Sequence, residues 1–234
     1  MNNKLHSISL DGVGSSGGGK FEDMNISGVY SLKGDIICNK FYVSGVLKDS
    51  KNIQCEEFKV SGVLKSSESL QANDINVSGV ATIGKNIKSQ KISGEGCIKV
   101  KEDIESEKVD LQGNIICHGL INCEDFYLFT EGESKIGEIG ATNIEICAKE
   151  KSINLLKIFI PKRIKNNHAY IKVIEGDNIK LSNCDVGIVR GKNIVIGENC
   201  KIDKVEYSES IDINELSKVD NKIKYRRKKW KDQI

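Results

Sequence analysis

Apolar residues recur along this chain in columns spaced 17 residues apart. One column reads Met24, Phe41, Phe58, Ile75, Ile92, Val109 and Phe126, and a second, two residues on, reads Ile26, Val43, Val60, Val77, then Leu111 and Leu128 after a lapse at Gly94. A third runs Ile36, Ile53, Leu70, Ile87, Ile104 and Ile121, and a fourth, of small residues, Cys38, Cys55, Ala72, Ser89, Ser106 and Cys123. Between them stand Lys, Asp, Glu, Asn, Ser and Gln. Within one repeat the apolar positions alternate in short pieces, as in Phe41-x-Val43, Val46-Leu47 and Ile53-x-Cys55. Period two over three to five residues predicts strands. A helix-pair repeat needs upwards of about thirty residues, so 17 predicts three short strands and three corners per turn.

Glycine marks one corner in the same register, at Gly28, Gly45, Gly62, Gly79, Gly96 and Gly113, four times inside Ser-Gly-Val. A glycine there supplies either a positive φ or room for close stacking on the corner above. Ile8-Ser9-Leu10-Asp11-Gly12-Val13 aligns with Met24 to Val29 at a shift of 16, which starts the first turn near residue 8 and gives about seven turns up to Leu128. The predicted architecture is all-β: a right-handed parallel β-helix, a solenoid of three-sided 17-residue coils, with an irregular middle and a second solenoid block. In that reading residues 1–7 are a tail, 8–147 the solenoid and 148–168 a joint containing Pro161, Lys157, Lys162, Arg163 and Lys165. Residues 169–207 form the second block, and 208–234 a polar and basic tail.

Composition narrows the chemistry. Aromatic residues make up 6% of the 234 positions, and one Pro and one Trp are few for a globular enzyme of this length. No run approaches the eighteen apolar residues of a membrane helix, and Met1 to His6 has no signal-peptide core, so a cytoplasmic protein is expected. Eight cysteines include no Cys-x-x-Cys pair, and three fall in the small-residue column. Packing, as small buried apolar groups, accounts for them better than zinc or disulfides.

The net charge of +2 is unremarkable, but Lys222, Lys224, Arg226, Arg227, Lys228, Lys229 and Lys231 crowd the carboxy terminus around Tyr225 and Trp230. A solvated end is the plain reading; anionic lipid is the alternative, ahead of nucleic acid.

Two motifs invite a catalytic or nucleotide role. Gly12 to Gly17 matches a dinucleotide fingerprint, and Gly14 to Lys20 the first seven places of a phosphate loop. Phe21 stands where magnesium needs Ser or Thr, and a strand, Met24-Asn25-Ile26, is expected where the phosphate needs a helix N-terminus. A glycine-rich corner is the better account. Ile83-Gly84, Ile136-Gly137 and Ile196-Gly197 resemble the hexapeptide pattern of left-handed β-helix acyltransferases, which run at 18 residues per turn and use a histidine base. Here His6, His118 and His168 share no context, and His118 falls on a corner column. No catalytic, cofactor or metal residues are expected.

The 17-residue solenoid over residues 8–128 resembles the bactofilins, polymer-forming bacterial cytoskeletal proteins. Gly187 to Gly197 and Cys200 to Tyr207 are similar to the carboxy-terminal part of longer bactofilin-like proteins of Gram-positive, spore-forming bacteria. The resemblance implies a nucleotide-independent homopolymer, or a copolymer with a paralogue, built end to end and scaffolding envelope or motility machinery. The exposed ends of a solenoid support the same assembly physically. The expected contacts are Ile8, Leu10, Val13, Met24 and Ile26 at one end, and Ile194, Ile196, Ile202 and Val205 at the other. A monomeric adaptor and a β-helix acyltransferase are the competing readings.

Overall fold

The computed structural model describes residues 5–148 and 167–225. Among these residues 22 strands form a single parallel sheet wound into a β-solenoid of about 12 turns, with no helix. At a spacing of about 4.8 Å per turn the rod is about 55 Å long.

One turn illustrates the rest. Lys40–Val43 and Val46–Asp49 form two faces, and the beginning of Ile53–Val60 forms the third. Phe41, Val43, Leu47, Ile53 and Cys55 point inward and are buried, whereas Lys48 and Gln54 are exposed. Parallel pairing then sets each inward residue on its counterpart 17 positions away: Phe41 on Phe58, Val43 on Val60, Ile53 on Leu70. The Phe41 and Phe58 rings stack with centroids 5.7 Å apart and planes 6° from parallel. Burying such columns in contact with themselves is the main stabilising term, and it grows with every added turn.

The first two turns pair at the expected shift of 16, Ile8 with Met24 and Leu10 with Ile26. Beyond Leu128 the ladder continues without the fixed period. The shift is 19 at Ile116↔Lys135 and 18 at Leu120↔Glu138, then 35 at Glu133↔His168, 15 at Ala169↔Cys184, and 16 passing to 17 between Asp185↔Lys201 and Asn193↔Ser210.

Two expected boundaries are therefore revised. The two solenoid blocks are one ladder, because Glu133–Ala148 pairs directly with His168–Leu181. Thr130 and Glu133 flank a two-residue corner, and their partners in the next turn are Ala148 and His168. Pro161 and the basic cluster around it lie outside the described residues. The tail expected from residue 208 is instead strand, in Lys201–Ile213 and Lys218–Lys224. Its polar character comes from outward Glu209, Asp212 and Asp220, while Ile211, Ile213 and Val219 keep the inward columns and pack on the core.

The glycine column has a steric cause. A Cβ at Gly28, Gly45, Gly62, Gly79 or Gly96 would overlap the carbonyl oxygen of the glycine one turn earlier, and none of the five has a positive φ. Only at Gly113, with φ 148°, does conformation add to the same clash.

Corners elsewhere are tied by side chains. Asn52 donates through Nδ2 to Asp35 Oδ1 at 3.0 Å, and Asn52 Oδ1 accepts from the Ser69 amide at 3.3 Å. Asn86 Oδ1 accepts from the Asp103 amide at 2.9 Å, and Asp103 from Leu120 at 2.8 Å. A second ladder climbs the later turns: Asn143 donates to Asp125 (2.9 Å), Asn178 to Asn143 (2.9 Å), Asn193 to Asn178 (3.2 Å), and Ser210 to Asn193 (2.8 Å). Each amide both gives and receives, so identical polar residues stack without leaving an orphan.

The stacking account makes a paired prediction. Gly62→Ala, which forces backbone apart, is expected to destabilise the rod by roughly 2–3 kcal/mol. At Gly17, where an added Cβ meets nothing within 4 Å, the same change should be neutral or slightly stabilising. Equal melting temperatures for the two variants in a thermal scan would remove the close-stacking explanation.

Candidate assembly surfaces at the rod ends

A solenoid has two kinds of surface: faces, whose backbone groups are all paired, and ends, where one turn lacks a neighbour. At the amino end the strands Ile8–Leu10, Val13–Ser16 and Gly19–Lys20 pair only with the second turn among the described residues. At the carboxy end the last turn, residues 210–224, pairs only with the turn before it.

The expected contact residues divide accordingly. Ile8 and Leu10 are inward residues of the first turn, whereas Val13 points outward, 82% exposed. Met24 and Ile26, 0% and 1% exposed, belong to the second turn and are covered by the first. At the other end Ile194, Ile196, Ile202 and Val205 are buried, because the turn that had looked like a tail covers them with Ile211, Ile213, Val219 and Lys222. The carboxy-terminal edge thus lies one turn further on than expected. Lys222 and Lys224 stand in the last strand, exposed; Arg226, Arg227, Lys228, Lys229, Trp230 and Lys231 lie outside the described residues.

The glycine-rich segment after Gly12 makes the corner and two edge strands of the first turn, and Asp23–Ile26, a strand, follows it. Tyr30 of the second turn leans over side-chain-less Gly14 and donates its hydroxyl to the Asp11 carbonyl at 2.9 Å. The three histidines do not converge. His6 and His118 are exposed on separate turns, and His168 Nε2 lies 3.0 Å from Asp185 Oδ1, a cross-turn pair that no fixed period marks because the shift between the two strands is 15. Beside it runs a surface groove of about 800 Å³, where Gly137 and Gly187 leave the face thin around Tyr170, Lys172 and Asp203. No group of three or more His, Cys, Asp or Glu side chains suited to a metal is found among the described residues. No helix among them is long and apolar enough to cross a membrane.

The cysteines stack like the other columns. Cys184 and Cys200 place their sulfurs 3.6 Å apart in the core, and none of the eight cysteines is in a disulfide. The hydrogen bond to Cys200, and then burial, push the Cys184 thiol well up; the same causes, with Cys38 as partner, raise Cys55. Burial pushes Cys117 up to about 11, and burial with the nearby Asp125 carboxylate pushes Cys123 up to about 12.

No family model matches the chain, and no solved structure matches it. Two proteins of Bacillus subtilis strain 168 are similar to parts of it. Uncharacterized protein YhbE is 33% identical over 91 residues, covering 38% of this chain and 36% of the relative; Uncharacterized protein YhbF is 29% identical over 107 residues, covering 45% and 42%. The matched stretch therefore spans well under half of either relative.

Raised thiols make a signed prediction. An unfolded cysteine loses its proton near pH 8.5, whereas Cys117 and Cys123 hold theirs to about 11 and about 12 in the fold. Between those limits the native state binds more protons, so this contribution is full below about pH 8.5 and is lost as pH rises through the folded values. The melting temperature is expected to fall from pH 8.5 to 11, less steeply in Cys117→Ala. Parallel slopes for the two proteins would show that this thiol carries none of the alkaline loss.

Proposed function

We propose that this chain is a structural protein, a nucleotide-independent scaffold of bactofilin type that associates with further copies of itself, or with a paralogous chain, through its exposed strand edges. The observation that carries the proposal is the uninterrupted parallel ladder of about 12 turns, whose unpaired backbone donors and acceptors collect at its two ends. Such an edge binds another by continuing the ladder, with main-chain hydrogen bonds giving affinity and the inward columns giving register.

Nothing in this mode of assembly calls for a hydrolysable ligand, and we assign the chain no catalytic role. The flat faces, ruled with Lys–Glu pairs such as Lys88–Glu105 at 3.0 Å, suit contact with envelope or motility partners. In the same reading the chain works in the cytoplasm, and the basic carboxy-terminal run meets the anionic inner face of the membrane.

A monomeric adaptor is the rival, and mass separates the two. Sedimentation of the purified chain from low to high micromolar concentration should give an assembled species heavier than the 25.9 kDa chain, its share rising with concentration. A single 25.9 kDa species throughout would reject self-association.

A further inference from the structure

The two ends of the rod are chemically unlike, and, resting on the self-association reading above, this difference says how copies meet. We propose that the carboxy-terminal edge is closed by the inward-directed lysines Lys222 and Lys224, and that a second copy of this chain docks on the amino-terminal edge alone, head to head, so that assembly stops at two.

The closing observation is a column. From Ile36 to Val205 one inward position is aliphatic in every turn it passes through, each residue lying in register on the next. Its final member, in register with Val205, is Lys222. The neighbouring inward column ends Gly191, Tyr207, Lys224. Lys224 holds its ammonium 5.6 Å above the Tyr207 ring and donates to the Glu209 carbonyl at 3.2 Å. A copy stacked on this edge would cover Lys222 at the end of the aliphatic column and Lys224 above the Tyr207 ring, and the desolvation of the two ammonium groups opposes the contact. Inward-pointing charge is one of the devices by which sheet proteins keep an edge from pairing. Two such edges facing each other would add like-charge repulsion.

The amino edge lacks these features. In the Lys222 column it carries Gly19, paired in register with Ile36, and the ring of Phe21 lies beside the place a side chain would take there, so that this position of the edge is apolar and uncharged. Ile8 and Leu10 continue the column that holds Met24 and Ile26. Residues 8–20 include just two charged side chains, Asp11 and Lys20, of opposite sign. A two-fold contact there brings no excess of like charge together. The occupant must offer three edge strands in a triangle of the same size. Another end of this solenoid does so, and with the carboxy end closed it is the same end. A two-fold contact of one patch with itself is complete at two copies. The product is a rod of about 110 Å with a lysine-capped end on each side.

Three forms of the full-length chain test this by sedimentation and negative-stain imaging: the natural sequence, Ile8→Lys, and Lys222→Val/Lys224→Val. The natural chain is expected at about twice 25.9 kDa, as rods of uniform length. Ile8→Lys, at a partly exposed end position, should run as a folded monomer by circular dichroism. The double valine variant, with its aliphatic column completed, should extend into chains of four copies and more. Long filaments of the natural chain would keep the scaffold and overturn the closed edge. A dimer that survives Ile8→Lys, or a double variant that assembles no further than the natural chain, overturns the proposal while self-association stands. A natural chain that is monomeric at every concentration overturns this pairing and the self-association reading together.

Discussion

Every position in this molecule must tolerate a near copy of itself about 4.8 Å away. That spacing is set by backbone hydrogen bonds between parallel turns, and the side chains are selected to satisfy it. Aliphatic residues satisfy it by burying one another, Phe41 and Phe58 by stacking their rings, and Asn143, Asn178 and Asn193 by passing one hydrogen bond from amide to amide. Glycine satisfies it where carbonyls approach so closely that a Cβ has no place, from Gly28 to Gly96. Charges satisfy it least well on their own. Lys91 stands in register with Lys108, whereas some other outward positions bring unlike partners together across turns, as Arg190 does with Glu206 at 2.7 Å. Such exposed pairs add little stability, but they avoid the repulsion that a column of like charge would create.

The same constraint explains how much could be read from residues alone. As far as Leu128 every corner has nearly the same length, so spatial columns are also columns of the sequence, and the core residues were legible one by one. Past that point the inward positions persist while corner lengths change, giving shifts of 19, 18, 35, 15 and 16. Periodicity measures corner length as well as register, and it disappears when either varies. Ile211, Ile213 and Val219 were legible as apolar residues but not as a turn, because the strands bearing them are polar outward and end in lysines. Missing that last turn moved the expected carboxy-terminal contacts to Ile194, Ile196, Ile202 and Val205, which lie beneath it. The Asp35, Asn52, Ser69, Asn86, Asp103 column does follow the 17-residue rule. It went unread because polar residues at corners are ordinary, and only the cross-turn amides give these ones a role.

Because the rod is built from nearest-neighbour contacts, its interior and its ends answer to different demands. An interior turn is held on both sides, and stability accumulates turn by turn. A terminal turn is held on one side, and its free edge will pair with whatever fits unless something prevents it. The inward columns also change character there, at Gly14, Ser16 and Gly19 at the start and at Lys222 and Lys224 at the finish, positions whose free side meets no further turn among the described residues.

A closed end and an open end also have different consequences for a scaffold. Open at both ends, a rod grows to a length set by concentration, and the spacing it imposes on bound partners varies from one assembly to the next. Capped at one end and self-pairing at the other, it would have a length fixed by the number of turns in each copy. Two copies then present the same faces symmetrically about one two-fold axis, with Lys222 and Lys224 at the far ends. The length of the assembly would then follow from the same two ends, the apolar start and the lysine-bearing finish.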